Sequence, residues 1–377
     1  MDFLNSPVSK RIVVLAGDGI GPEVCGEAVR VLKAVTQRFG HHFTFDYQLM
    51  GACAIDVTGV PLPDATLEAC YRADAVLLGA IGDPKYDNDP TANVRPEQGL
   101  LSLRKNLGLY ANIRPVVAYE QLLEQSPLRA DRIAGTDMLI FRELTGGVYF
   151  GEKGRLPDGT AYDNCTYNRA EISRIAHRAF QAAQARRRKL TLVDKANVLE
   201  TSRLWREVVQ GIAPEYPEVA VDYLFVDNAA MQLILNPRQF DVMLTENMFG
   251  DILSDEASVI AGSLGLLPSA SIGDSAALFE PIHGSYPQAK GKGIANPIAA
   301  ILSAAMMLDH FGLVEEACAV REAVENALNE QVLTPELNSA IPYTTEQVGS
   351  FIAYGVMDLL DCHLHHGNIA FGKITII

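Results

Sequence analysis

The sequence predicts an α/β chain of two domains, each with a parallel or mixed sheet flanked by helices, plus a small β-hairpin arm. Three observations carry this. A length of 377 residues exceeds what one compact unit usually holds. The opening I-V-V-L-A-G-D-G-I-G-P-E-V reads as strand, glycine turn and helix, and apolar strand runs alternate with helical segments after it. In mid-chain the polar stretch G-E-K-G-R-L-P-D-G-T-A-Y breaks that alternation, and its Pro157-Asp158-Gly159 is a turn sequence.

Taken in order, the first strand is the apolar run after Arg11, and Pro22 and Glu23 suit the first turn of the helix that follows. Strands are expected at His42–Gln48 and Ala75–Gly79, with helices around Thr66–Arg72 and after Pro96. Near Tyr110 the character changes. Residues 133–150 read as strand-rich, with Arg142 and Glu143 inside an apolar run, and the hairpin arm covers about 151–167. Asn168–Arg188 reads as a long amphipathic helix closed by the basic run Arg186-Arg187-Arg188-Lys189, where cations complement the helix dipole. After Gly262 the βα character resumes, and from Asn296 the chain reads as mainly helical.

Bulk properties exclude some functions. A formal net charge of −15 argues against a nucleic-acid partner, since phosphate binding needs a basic surface. The six cysteines are scattered without a C-x-x-C pair, which fits reduced thiols in a cytoplasmic protein. The N-terminus has no apolar signal core, and the longest apolar stretch, Pro297 to Leu308, is too short to span a bilayer, so no membrane association is expected. The C-terminal Cys362-His363-Leu364-His365-His366 fits no common zinc spacing and reads as an inert tail.

Two motifs invite chemistry. Asp251 and Asp255, in N-M-F-G-D-I-L-S-D-E-A-S, stand four residues apart, so a helix puts both carboxylates on one face. Their repulsion is relieved by a positive charge, and a hard divalent cation takes carboxylate oxygens as ligands. Gly17-Asp18-Gly19-Ile20-Gly21-Pro22 follows a strand and opens a helix, as a dinucleotide fingerprint does. Pro22 stands where the third glycine belongs, so the Rossmann reading fails, and with it Asp46 as the ribose acid.

The aspartate segment, together with F-R-E-L-T-G-G-V-Y-F-G (141–151), V-D-K-A-N-V (193–198) and F-V-D-N-A-A (225–230), resembles the isocitrate and isopropylmalate dehydrogenases. These β-decarboxylating enzymes oxidise 2-hydroxy acids with a nicotinamide cofactor. The resemblance runs from Arg11 to about Ile352 and is strongest to the isopropylmalate-oxidising members. It implies that family's non-Rossmann fold: a first domain from 1–109 and 263–377, a second from 110–262 inserted in it, and a homodimer in which the arms pair.

The resemblance also implies the site. Arg104, Arg114 and Arg142 would clamp substrate carboxylates, for which the guanidinium fork is suited. Glu97, Leu100 and Leu101 would cover the branched substituent, and two leucines suit an isopropyl group better than a third carboxylate. Asp227, Asp251 and Asp255 would hold Mg²⁺ or Mn²⁺, with Asp227 coming from the partner subunit and also touching substrate. Lys195, likewise from the partner, would take part in removing the hydroxyl proton, and Tyr149 would protonate the product carbon. Glu280, His283, Gly284, Ser285, Gln288 and Asn296, within 279–297, would line the dinucleotide site. Gln288 stands where NAD-using relatives carry an aspartate for the ribose hydroxyls. No basic cluster replaces that aspartate, although Lys290 and Lys292 are near, so NAD is expected. The expected reaction is oxidative decarboxylation of 3-isopropylmalate; homoisocitrate, isocitrate or tartrate oxidation and a non-catalytic regulatory subunit are the alternatives.

Overall fold

A computed structural model describes residues 6–87 and 94–358 of the chain. The C-terminal Cys-His cluster lies outside the described residues. Twelve strands are present among the described residues: β1 Ser9–Gly17, β2 His42–Tyr47, β3 Ala75–Ala80, β4 Ala111–Val117, β5 Asp137–Glu143, β6 Lys153–Arg155, β7 Ala161–Asp163, β8 Lys189–Asp194, β9 Ala220–Phe225, β10 Val242–Thr245, β11 Pro268–Ile272 and β12 Ala277–Pro281. The chain divides into two compact units, one on each side of breaks at Gly108/Leu109 and Gly262/Ser263.

In the first unit the strands run β2-β1-β3-β12-β11. All neighbours are parallel except β11 with β12. Buried on both faces, β3 is apolar throughout, as a central parallel strand should be. The helix Ile298–His310 is buried along its length, and Ser303 returns its hydroxyl to Ala299 C=O at 2.8 Å. The long apolar stretch is therefore core, each large side chain contributing about 1.5–3 kcal/mol of burial. Among the described residues no helix is long and apolar enough to cross a membrane.

In the second unit the order is β4-β5-β10-β8-β9, antiparallel only between β4 and β5. Its core gathers Val116, Ile140, Val193, Leu233, Met243 and Leu253 from both strands and helices. The strand-rich expectation for 133–150 holds only in β5. A short helix, Ala130–Ile133, precedes it, and Gly146 and Gly147 end the extended run in a tight turn. β6 and β7 form the arm, with Lys153 opposite Asp163 and Gly159 N–H closing the turn onto Leu156 C=O.

The helix after the arm starts with a reciprocal cap, Asn168 with Glu171, but stops at Ala185. The basic run is thus not in its last turn. Arg186 Nε reaches buried Asp241 at 2.8 Å and its Nη2 reaches Asp137 at 2.9 Å, while Arg187 N–H donates to Asp241. Buried carboxylates need such partners, and satisfying them outweighs extending the helix.

Candidate active site

β-Sheet register sets the first part of the site in the second unit. Asn112 and Arg114 alternate onto one face of β4, and Arg142 lies opposite Asn112 on β5 and Thr245 on β10. The helix Asn247–Ser258 follows β10 almost at once, so its first turns meet the end of β5. Its Asp251 pairs with Arg142 Nη1 and accepts the Tyr149 hydroxyl at 2.8 Å. One turn on, Asp255 receives Arg114 Nη1 at 3.3 Å, and the same nitrogen donates to Ser254 Oγ at 2.6 Å. The two aspartates do share a helix face, and arginines supply the positive charge their repulsion asks for.

Tyr149 is held by a layer of residues that sequence reasoning did not single out. Asn247, fully buried, accepts Arg142 Nε at 3.0 Å and donates to Gly146 C=O at 3.1 Å, linking the arginine to the turn that carries the tyrosine. Its own N–H rests on the Tyr167 hydroxyl, which donates in turn to Glu246. The turn sits so close to Tyr167 that a Cβ at Gly147 would lie 2.4 Å from that hydroxyl. Trp205 meets the Tyr167 ring edge-on at 5.4 Å. Burial pushes the Tyr149 phenol up to about 12, with the Asp251 hydrogen bond adding to it, so it stays a proton donor at neutral pH. Burial, above the nearby glutamates, also raises Tyr167. The N-cap pattern at Glu246, whose carboxylate accepts Phe249 N–H at 2.6 Å, was the available signal for this layer.

A second cluster forms at the ends of neighbouring parallel strands. β8 and β9 pair Asp194 with Phe225, so Lys195 and Asp227, just beyond them, meet in an ion pair. The lysine hydrogen bond is the main reason the Asp227 carboxyl is held below the usual range. Asp194 fixes this turn by accepting Arg206 through both oxygens and Ala196 N–H. Asp227 therefore lies with Lys195, while Asp251 and Asp255 lie with the arginines. Among the described residues no three His, Cys, Asp or Glu side chains group as a metal cluster. The donor chemistry does suit a hard cation: Asp251 and Asp255 present carboxylate oxygens, and the Asp255 side chain is 68 % exposed.

The remaining candidates belong to the first unit. On the helix Pro96–Asn106, Leu103 takes the core position, leaving Leu100 half-buried and Leu101 44 % exposed. The leucine pair is not core. Arg104 Nη2 pairs with Glu280 at 2.6 Å, and its Nε is buried with no hydrogen-bond partner. A Cβ at Gly82 would stand 3.1 Å from Glu97 Oε1.

In the 279–297 loop, His283 uses Nδ1 on Gly284 C=O at 3.0 Å, while Nε2 is buried without a partner. Burial lowers its pKa, so the imidazole is neutral at pH 7. An orphaned ring nitrogen, an exposed Gln288 and open space at Gly284 fit a dinucleotide. Ser285 is buried, and Asn296 spends its side chain on Glu336 and on Ile298 N–H, a scaffolding use. Asp46 is taken by Arg11 at 2.5 Å and Gln48 at 2.7 Å, as an ordinary surface group.

Residues 11–352 match the family described as isocitrate/isopropylmalate dehydrogenase. A 3-isopropylmalate dehydrogenase of Bacteroides fragilis is 56 % identical over 344 residues, 91 % of this chain and 97 % of the relative. One from Geobacillus kaustophilus is 57 % identical over 333 residues, 87 % and 90 % respectively. Among solved structures, an isocitrate dehydrogenase from Methylococcus capsulatus superposes with a TM-score of 0.81 at 37 % identity, covering 92 % of this chain and 99 % of that one. With the family model matched over residues 11–352, relatives at 56–57 % identity along most of their length and a solved structure of like fold, the chain belongs to the isocitrate/isopropylmalate dehydrogenase family.

Proposed function

We propose that the chain oxidises 3-isopropylmalate with NAD and decarboxylates it to 4-methyl-2-oxopentanoate and CO₂, a step in leucine biosynthesis. The observation that carries the reaction is the joint placement of Arg142, Asp251 and Tyr149: carboxylate ligand, cation ligand and proton donor in one hydrogen-bonded cluster. The outward Leu100 and Leu101 favour a branched alkyl substituent over a third carboxylate. The relatives at more than half identity carry the isopropylmalate name.

When bound, Mg²⁺ or Mn²⁺ would supply Lewis acidity at the substrate hydroxyl, and NAD would supply the hydride acceptor for C2. Asp251 and Asp255, with Asp227 of the partner subunit, are the proposed cation ligands. Arg104, Arg114 and Arg142 bind carboxylates and hold the bond to the departing carboxylate in place. Lys195 would accept the hydroxyl proton as the neutral amine. In the single chain it pairs with Asp227 as the ammonium, so it must first lose a proton, and a divalent cation held by Asp227 would favour that loss by like-charge repulsion. After CO₂ leaves, Tyr149 gives its proton to the enolate carbon.

Sharing Lys195 and Asp227 requires a homodimer. Exposed Met231, Ile234 and Leu235 on one helix and Ile252 on another supply apolar surface for it. Among the described residues Cys25, Cys53, Cys70, Cys165 and Cys318 form no disulfide, in keeping with a cytoplasmic protein.

The test is NADH formation by the purified chain with 3-isopropylmalate, Mn²⁺ and NAD, with isocitrate and NADP as parallel substitutions. Turnover with isopropylmalate and NAD is expected. Preference for isocitrate or NADP overturns the reading of Leu100 and Leu101 or of Gln288, and no turnover under any condition favours a regulatory subunit.

A further inference from the structure

The turn Gly17–Glu23, which fails as a nucleotide cradle, is fastened at two points to the loop proposed to hold NAD. Ile20 N–H donates to Ser285 C=O at 2.8 Å, and a Cβ at Gly19 would lie 1.9 Å from that same oxygen. Further along the loop, Glu23 Oε1 accepts Gly291 N–H at 2.5 Å and Oε2 accepts Gly293 N–H at 3.2 Å. These two glycines have φ of +75° and +62°, flanked by exposed Lys290 and Lys292.

Glycines at positive φ have many other conformations open to them. A carboxylate that spends one oxygen on each amide selects one arrangement from that set, and bonds to an ionised acceptor are the stronger kind. An acid at this position could have served only the helix dipole. Instead it reaches a loop 268 residues away in sequence.

We infer that Glu23 is a positioning residue for the dinucleotide: by fixing the Gly291 and Gly293 amides it holds the K-G-K-G segment in the arrangement that receives NAD. The inference rests on the reading of 279–297 as the NAD loop. The G-D-G-I-G-P-E turn then serves the cofactor through the loop it fastens. Because apparent affinity scales with the populated fraction of the competent conformation, freeing the segment weakens binding in proportion.

The experiment measures NADH affinity of the full-length protein by fluorescence without substrate, alongside hydrogen exchange of residues 289–294 without cofactor. Glu23→Ala should raise the NADH Kd about tenfold and speed exchange at Gly291 and Gly293. Glu23→Gln, isosteric and still able to accept an amide, should fall between. The KM for isopropylmalate at saturating NAD should stay at its wild-type value. An unchanged Kd in Glu23→Ala, even with a lowered Tm, overturns the inference and leaves Glu23 a structural residue. If Glu23→Ala does not fold, an unchanged Kd and unchanged exchange in Glu23→Gln overturn it equally. Wild-type protein that binds no NADH would instead overturn the reading of the loop itself.

Discussion

Asn247→Ala tests whether the site works as a held cluster or as independent side chains. The substitution removes an acceptor from Arg142 Nε at 3.0 Å and a donor to Gly146 C=O at 3.1 Å, both fully buried. A hydrogen bond to a charged group is worth about 1.5–3 kcal/mol and a neutral one about 1 kcal/mol. The sum is about 3 kcal/mol. If about two-thirds of it orients Arg142 and Tyr149 in the transition state, kcat/KM falls about 30-fold. Initial rates with 3-isopropylmalate, NAD and Mn²⁺ would show it, with Tm followed by calorimetry. Asn247→Asp keeps the acceptor for Arg142 but not the donor to Gly146, so it should recover KM more than kcat. A kcat/KM for Asn247→Ala within threefold of wild type, while Arg142→Lys and Tyr149→Phe lose activity, would refute the reasoning and leave Asn247 a stability residue.

Tyr149→Phe should slow decarboxylation and protonation by about 10²-fold or more while sparing hydride transfer; equal loss in both partial reactions would remove it as the acid. Asp251→Asn should raise the Mn²⁺ concentration for half-maximal activity at least about tenfold. Full activity at limiting metal would exclude it as a ligand. Tyr167 should make the fold sensitive to alkali. An unfolded tyrosine titrates near 10, and burial keeps this phenol protonated to higher pH in the native state. Above about pH 10 the unfolded chain therefore binds fewer protons than the native one, and stability falls by up to about 1.4 kcal/mol per pH unit per such group. Tyr167→Phe should remove its share of that slope in urea unfolding between about pH 10 and 11.5, and an unchanged slope would refute the assignment.

Local features of the site are legible in the residues themselves. Asp251 and Asp255 fall on one face because four residues nearly complete a helical turn, and the Asn168 cap and the 157–159 turn depend on immediate neighbours. Lys195 and Asp227 came only through the family resemblance. The reason they meet is the parallel pairing of β8 with β9, which no local pattern reveals. Where sequence reasoning failed, a distant partner had overruled a local preference. The basic run 186–189 suited a helix end, yet Asp241 and Asp137 pulled it out of the helix. Nothing in the local sequence marks Asn247, because its partners Arg142 and Gly146 lie about a hundred residues away.

By itself the sequence determined the α/β class, the arm, the family and the candidate site residues, since each follows from short-range periodicity, turn residues or motif identity. Tertiary structure alone decided how those residues are held. Arg142 finds Asp251 across 109 residues and Glu23 finds Gly291 across 268. Such contacts depend on where sheet register and helix packing bring the ends of elements together, and that is a property of the whole fold.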